Sequence, residues 1–575
     1  MTPYTAIADA YAAMKNGNRG GLGQPRVGII GAGVSGLAAC KQCCEKGLNA
    51  TVFEGKSGLG GIWRDSYSST KLQTPKGAYV FSDFPWPESV PTFPSHHQVI
   101  DYLEGYAKHF GFMDRIRFNC QVVEVKRKTK FELSHKMGTS EFSSLWNGED
   151  GVKPELESFM AGLQNGGGAK GWDDGDVTWE ICVRKNLPGS EGPIDYVDEW
   201  HTFDYLVICC GRFGDVAKLP SFPSSQGPEV FKGQVLHSLD YSALDSKNTE
   251  ALIRGKKVVV VGFGKTSLDV AVEVAEMNEG VDDVKPCTLL FRRAQWMFPK
   301  HRKAFGLFSF GYLWGNRISG YFVAQPGQGL VQRLLQFIFN PVKLLIWKLL
   351  ECYLSFTIPV AQYGIVPEQP LFSDMSACVL PQLPQTLLGH LQAGRIVTTK
   401  AASWNFYPKG IRLADGTEME ANVVIFCTGY DGNSKLKAIF PEDDTAALFE
   451  TERVLSLYRG IVHPRIPNVG FIGYLEGLSS VHSSEMAARW LVELVQKRIT
   501  LPDIATMETD RRTWVQYWKT RTPFFDRTCA CVGTMQIWHF DKLCKDMGVK
   551  TLRKKTWWEE VFSIYGSTDY KSLSS

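Results

Sequence analysis

Two glycine-rich turns carry most of the chemistry that this sequence can perform. The apolar run Val27 to Ile30 leads straight into Gly31-Ala-Gly33-Val-Ser-Gly36. Glycines at that spacing suit a dinucleotide. Gly31 permits the tight turn, Gly33 lets the backbone approach a pyrophosphate, and Gly36 lets the next helix pack close to the strand. A helix from there to about Lys46 offers free N–H groups and partial positive charge at its start. A second apolar run, Ala50 to Phe53, ends at Glu54, placed to accept hydrogen bonds from ribose hydroxyls. An acid there disfavours a 2′-phosphate, so the first turn reads as an FAD or NAD site.

The second turn is Gly262-Phe263-Gly264-Lys265-Thr266-Ser267, again after a buried-strand pattern, with small Ser267 at the third glycine position. The following strand pattern, Cys287 to Phe291, ends in Arg292 and Arg293 instead of an acid. Guanidinium forks grip phosphate oxygens bidentately, which suits the 2′-phosphate of NADPH. Opposite ribose signals imply two cofactors, FAD and NADPH, with electrons passing from the second to a flavin on the first.

An α/β fold must position these turns, with two dinucleotide-binding (Rossmann-like) domains, the NADPH domain inserted into a discontinuous FAD domain. Asp204 to Gly211 and Ala421 to Gly429 read as strands entering tight turns, each marking a crossing between domains. Asn468 to Tyr474 precedes a helical stretch from about Ser483 to Lys497, whose start suits the pyrimidine end of a flavin. The expected division is 1–24 as a flexible N-terminal extension, 25–215 with 400–575 as the FAD domain, and 216–399 as the NADPH domain carrying an apolar insertion at 301–367. Ser134 to Asp176, rich in Gly, Ser and Asp, reads as a surface insertion.

The 575 residues hold 63 basic and 60 acidic side chains, a net charge of +3, which argues against a nucleic-acid binder. The 14 cysteines include the vicinal pairs Cys43–Cys44 and Cys209–Cys210, a pattern of buried free thiols in a reducing compartment. The N-terminus has no secretory pattern. The greasiest stretch, Gly329 to Pro367, is broken by Arg333, Pro341, Lys343, Lys348 and Glu351, so a membrane span is not expected. A cytoplasmic location is expected, with peripheral contact at the endoplasmic reticulum left open; oligomeric state is not legible.

Other conspicuous residues receive plainer readings. Cys40-Lys-Gln-Cys43 falls inside the first dinucleotide helix, away from the helix start that activates a redox thiol. Cys529-Ala-Cys531 is read as structural, and adjacent His96 and His97 should point apart and make poor metal ligands; no metal is expected. His237 is read as steadying a turn, and Arg489-Trp490 after Glu485 as core packing with a solvated ionic rim. The aromatics from Phe305 to Trp347 line a substrate tunnel or form ordinary core.

Phe231-Lys-Gly233-Gln-Val-Leu-His237-Ser-Leu-Asp-Tyr241 matches FxGxxxHxxxY, the pattern of the flavin-containing monooxygenases and their N-hydroxylating relatives. Gly60-Gly61-Ile62-Trp63 resembles that family's second flavin contact, and Phe426-Cys-Thr-Gly-Tyr430 its FATGY segment with Cys427 for alanine. The resemblance runs from about Arg26 to Tyr570. Thr70-Lys-Leu-Gln73-Thr74-Pro75, Phe81 to Trp86, Tyr430-Asp-Gly, Leu457-Tyr-Arg-Gly, His482 to Glu485 and Tyr565 to Tyr570 resemble one plant branch, linked to defence metabolism. The resemblance implies NADPH reduction of FAD, a C4a-hydroperoxyflavin formed with O2, and transfer of one oxygen atom to a nucleophilic heteroatom. N-hydroxylation of a small amino acid or cyclic amine such as pipecolate is expected first. Aldoxime formation, S-oxygenation of a thioether, oxidative decarboxylation of a 2-oxo acid, and plain NADPH–flavin reduction stay open. Gln73 stands at the family's flavin-adjacent Asn position, which implies a catalytic contact to NADP or the flavin adduct; Gln73 and Thr74 also join the expected cofactor contacts.

Overall fold

Val258–Val261 is four consecutive valines, all buried, and such a strand is stable only where both faces are covered, as in a parallel sheet. The computed structural model describes residues 24–129, 172, 175–186, 196–281, 286–299, 303–304, 308–309, 315–318, 320, 323–449, 454–521 and 531–573. Two five-stranded sheets form its frame. The first runs in the order Val469–Phe471, Tyr205–Ile208, Arg26–Ile30, Asn49–Phe53, Ile116–Arg117, with every pairing parallel. The second runs Ile396–Lys400, Cys287–Phe291, Val258–Val261, Val423–Phe426, Gln234–His237, also parallel throughout. Each glycine turn leaves the carboxyl end of its sheet's middle strand, the place where open α/β sheets bind ligands. Each unit also carries a three-stranded antiparallel sheet.

The chain crosses between the sheets twice, and the two crossings pair with each other. Ala217 bridges Tyr430 antiparallel, Lys218 N–H donates to Gly429 O at 3.0 Å, and Asp431 N–H donates to Val216 O at 2.9 Å. Ile396–Lys400 and Val423–Phe426 both belong to the second sheet, so its unit continues past residue 400 to the return crossing near Tyr430. The boundary expected at 400 is corrected accordingly: the run Ala421 to Gly429 is a strand of the second unit that ends in the crossing. Residues 1–23 of the expected N-terminal extension lie outside the described residues, as does the Ser134–Asp176 insertion apart from Trp172 and residues 175–176.

Eleven cysteines are free among the described residues, including the vicinal pairs, but Cys378 and Cys531 form a disulfide. The vicinal pairs are free thiols as expected, and the disulfide gives Cys531 the structural role read for it; Cys529 lies outside the described residues. The helix Leu330–Thr357 runs through Pro341, and among the described residues no helix is long and apolar enough to cross a membrane. Of the aromatics between Phe305 and Trp347, Trp347 packs in a core cluster while Phe337 and Phe339 face solvent, and most of the others lie outside the described residues.

Burial pushes His463, His482 and His539 from an ordinary 6.5 down to about 3. Above the ordinary value, folded and unfolded chains are both neutral at these sites. Between that value and about 3, the unfolded chain takes up protons that the folded chain refuses. Stability is therefore full above about pH 6.5 and falls on acidification, by up to about 1.4 kcal/mol per pH unit for each histidine. Thermal denaturation at neutral pH and at about pH 5 checks this; an unchanged midpoint refutes it.

Candidate functional site

The first turn is closed too tightly for a side chain at Gly31 or Gly36. Gly31 has φ 103° and donates to Phe53 O at 2.8 Å, and a Cβ on it would lie 2.6 Å from Cys209 O. A Cβ on Gly36 would lie 1.8 Å from Gly31 O. The helix Val34–Glu45 starts at Gly33 with no side chain capping it, so its first N–H groups point into the turn unclaimed by a side chain. Buried Glu54 accepts from Ala32 N–H at 2.7 Å and Lys56 N–H at 3.0 Å, which fixes its carboxylate at the end of the Asn49–Phe53 strand.

The Gly60–Trp63 segment folds against this turn. Gly60 N–H donates to Ala32 O at 3.0 Å, and a Cβ on Gly61 would lie 3.1 Å from Gly33 Cα. Gly60 and Gly61, at φ 128° and 57°, occupy backbone that glycine adopts readily. Ile62 reaches the first crossing at Gly214, and Trp63 Nε1 donates to Tyr79 OH at 2.8 Å. A third element completes the wall: the helix Ser480–Val495, whose Ser484 Oγ lies 3.0 Å from Ser35 Oγ in the first turn. Ser479, at the start of that helix, is buried with its hydroxyl unpartnered among the protein's groups. The predicted helix begins a few residues earlier than expected, and this brings its N-terminus onto the turn.

The second turn repeats the design. Gly262, at φ 135°, donates to Leu290 O at 2.8 Å, and its Cβ would lie 2.5 Å from Cys427 O. Cys427 thus stands to Gly262 as Cys209 stands to Gly31. Gly264 begins the helix Lys265–Met277 without a side-chain cap, and a Cβ there would meet nothing within 4 Å, which leaves room for a ligand. Ser267 is fully buried and donates to Gly264 O at 2.7 Å, so serine does fit the third position. Lys265 pairs with Asp269, and Thr266 is half-buried beside it. Phe263 packs on Phe291 at 4.7 Å in the core, so only its backbone is left to meet a cofactor. Arg292 and Arg293 are exposed at the carboxyl end of the neighbouring strand.

The segment after Trp63 joins the two units. Tyr67 OH donates to Asp269 Oδ2 at 2.7 Å and Ser69 Oγ to Glu273 Oε2 at 3.0 Å, both acids lying on the second dinucleotide helix. Burial holds both carboxyls above their ordinary values. Gln73 Oε1 accepts the N–H of Gln382 at 3.1 Å, so a loop of the second unit orients its amide; Thr74 follows, half-buried. Sequence reasoning did not foresee these contacts, because Asp269 and Glu273 look like an ordinary polar helix face.

His237 Nδ1 accepts from Leu239 N–H at 3.2 Å in a capping box, a turn-steadying role. Cys40 lies buried inside its helix; the Cys44 thiol and burial hold it protonated, as burial does Cys43. His96 and His97 do not point apart: their ring centroids lie 3.8 Å from each other. No metal-ligand cluster occurs among the described residues. Glu485 and Arg489 form no solvated rim. Both are buried, paired at 2.7 Å, and Glu485 accepts from Ser82 N–H at 3.0 Å while Arg489 donates to Ser82 Oγ at 2.8 Å and to Tyr570 O. Three segments far apart in sequence, Phe81–Trp86, His482–Glu485 and Tyr565–Tyr570, meet in this network.

The profile of the FMO-like family, flavin-binding monooxygenase-like proteins, matches residues 24–142 and 194–553. The chain belongs to this family. It is 37% identical over 553 residues to a probable flavin-containing monooxygenase 1 of Arabidopsis thaliana, covering 96% of this chain and 97% of that one. Among solved structures, the polycyclic ketone monooxygenase of Thermothelomyces thermophila shares the fold, with TM-score 0.62, 14% identity, and coverage of 93% and 90%. OTEMO, solved with FAD and NADP, superposes with TM-score 0.56 at 16% identity, covering 96% of this chain and 97% of that one. As a flavin-binding monooxygenase, the protein works with FAD and NADPH, O2 and a small-molecule substrate.

Proposed function

We propose that this flavin monooxygenase N-hydroxylates a small amino acid or cyclic amine such as pipecolate. The observation that carries the cofactor assignment is the contrast between the two cradled turns. Buried Glu54 is fixed at the ribose position of the first, and exposed Arg292 and Arg293 end the neighbouring strand at the second. In this reading Gly31, Gly33 and Gly36 seat the FAD pyrophosphate, Glu54 the ribose, and Gly61, Ile62 and Trp63 the flavin side. Gly262, Gly264 and the first turn from Lys265 to Ser267 seat the NADPH pyrophosphate, with Phe263 contributing backbone only. Bound and reduced, FAD supplies the activation of O2.

The protein's own tasks are to orient both cofactors and exclude water. In this reading Gln73, whose carbonyl accepts Gln382 N–H, contacts NADP or the flavin adduct. An amine must be neutral to offer a lone pair, and a pocket that disfavours charge lowers its pKa and supplies that form. The plant-branch segments support the nitrogen preference, and the free vicinal thiols support action in the cytoplasm.

The test is turnover under isotopically labelled O2 with NADPH and a panel of pipecolate, amino acids, a thioether and a 2-oxo acid. One labelled oxygen in an N-hydroxy product supports the reading. Label in a sulfoxide or an oxime, or decarboxylation of the 2-oxo acid, replaces it with that chemistry. Peroxide equal to the NADPH consumed, with no labelled product and no oxygen adduct of the reduced flavin in stopped-flow spectra, makes the chain a reductase. Replacing Arg292 and Arg293 by alanine is expected to raise KM for NADPH about tenfold to hundredfold, the loss of one hydrogen-bonded charge contact. KM for NADH should stay unchanged; an equal rise in both would refute the 2′-phosphate role.

A further inference from the structure

Beyond the two chain crossings, one covalent bond joins the two units among the described residues: the disulfide between Cys378 and Cys531. The contacts Tyr67–Asp269, Ser69–Glu273 and Gln73–Gln382 between the units are hydrogen bonds. A hydrogen bond exchanges with water, whereas the disulfide holds its two backbones at a Cα–Cα distance of 6.1 Å.

Both ends of the bond are built into structure that serves the two turns. On the second unit, Cys378 follows the short helix Leu371–Ser376, which is well fastened. Asp374 accepts from Trp296 N–H at 2.9 Å, and Glu351 accepts from Leu371 N–H at 2.9 Å. Four residues after Cys378 comes Gln382, whose N–H donates to Gln73. On the first unit, Cys531 bridges Glu476, and Val532 N–H donates to Glu476 O at 2.6 Å. Glu476 pairs with Arg212 near the first crossing at 2.6 Å. Leu478 N–H, just before the helix Ser480–Val495, donates to Gln536 Oε1 at 3.0 Å. The bond therefore ties the loop that orients Gln73 to the segment that leads into the wall of the first turn.

The two sulfurs differ in access. Cys531 is fully buried among Trp518, Val532 and Met535, while Cys378 is half-buried. Cys378 also has φ 55°, a left-handed backbone that a residue with a Cβ rarely adopts. Opening the bond removes the covalent tether on that backbone. Eleven other cysteines are thiols among the described residues. A thiol-rich chain suits a reducing compartment, where a disulfide is of the exchangeable, redox-sensing kind.

We infer that Cys378–Cys531 is a reversible thiol switch that sets how firmly the two units hold NADP+. The thiolate of a small cellular thiol attacks Cys378 Sγ. The S–S bond breaks, and Cys531 leaves as a thiolate that takes up a proton. A second thiol attacks the reductant's sulfur in the mixed disulfide and expels Cys378, which is protonated in turn. The protein gains two electrons and two protons, and the reductant leaves as its own disulfide. The closed bond holds the Gln382 loop, and with it the Gln73 amide, against the first unit; the open one leaves them to hydrogen bonds alone. The switch rests on the family's use of NADPH and is independent of the substrate oxidised.

Holoenzyme equilibrated in buffers of reduced and oxidised glutathione tests it, with thiols trapped by alkylation and located by mass spectrometry. The NADP+ dissociation constant is read in each buffer from the change that NADP+ causes in the flavin spectrum. Excess reduced glutathione is expected to open the bond in folded, yellow protein. The constant should then rise about twofold to tenfold, the worth of one hydrogen bond. Return to the oxidised buffer should restore both. Cys378→Ser should bind NADP+ as the reduced wild type does and ignore the buffer. Cys352→Ser, at an exposed thiol, should respond as the wild type does. A bond that stays closed in reduced glutathione, or opens with no change in NADP+ binding, is a crosslink only and overturns the inference. So does a response that Cys378→Ser retains, which assigns the sensitivity to another thiol.

Discussion

A Gly36→Val protein is expected to purify colourless, without flavin and without NADPH-dependent oxygen consumption. At Gly36 a Cβ would stand 1.8 Å from Gly31 O, a backbone atom in the middle of the turn. No rotamer relieves that overlap, so the helix Val34–Glu45 must move away from its strand or the turn must open. Either movement displaces the uncapped first N–H groups, the proposed seat of the FAD pyrophosphate. Overpacking of this kind costs about 1–3 kcal/mol of stability, and the loss of the cofactor removes its own stabilisation as well. Gly264→Ala is the matching control, because a Cβ there meets nothing within 4 Å. That variant should stay yellow and fold normally while binding NADPH less tightly. Absorbance of the purified proteins near the flavin bands reads both outcomes. A yellow Gly36→Val protein would show that the first turn is not the flavin seat.

Arg489→Met is expected to cost about 3–5 kcal/mol, since it leaves the Glu485 carboxylate buried without its cation. Burial already holds Glu485 above the ordinary carboxyl range, and Arg489 is the group that opposes it. The damage should spread to the flavin site, because Ser484 on the same helix meets Ser35 in the first turn. The double variant Glu485→Gln/Arg489→Met removes both charges and should recover much of the lost stability, since it leaves no uncompensated buried charge. Thermal unfolding of the wild type, the single and the double variant separates the cases. Equal melting of the single and double variants would mean that the arginine acts only by packing and by its bond to Tyr570 O.

The parts of this protein that were legible in the sequence are those set by local spacing. Gly31, Gly33, Gly36 and Glu54 fall within one βαβ unit, and a turn that excludes Cβ atoms can be read from the glycines themselves. Gly262 repeats the case, with a Cβ there 2.5 Å from Cys427 O. The apolar runs into Gly211 and Gly429 announced strands, because a strand buried on both faces needs an unbroken apolar run. The run at Ala421 to Gly429 did not reveal which sheet it joins, since parallel pairing partners are chosen by tertiary packing, and the domain boundary moved from 400 toward 430 for that reason.

Long-range contacts decided the rest. Whether Glu485 and Arg489 face water or Ser82 and Tyr570 depends on which surface covers their helix, and helical spacing is the same in either case. Phe263 looked like part of a cofactor loop, but its ring packs on Phe291 in the core. Over Leu330–Thr357, only the folded protein shows that Trp347 is buried while Phe337, Phe339 and Phe356 face solvent. The sequence by itself determined two glycine turns after buried strands, with an acid ending the next strand of one and two arginines that of the other, because backbone sterics and strand periodicity act over a few residues. The tertiary structure alone decided how Tyr67, Ser69 and Gln73 clasp the second unit, and which apolar face stays in contact with solvent. Those outcomes depend on desolvation and on partners hundreds of residues away, and no local pattern records them.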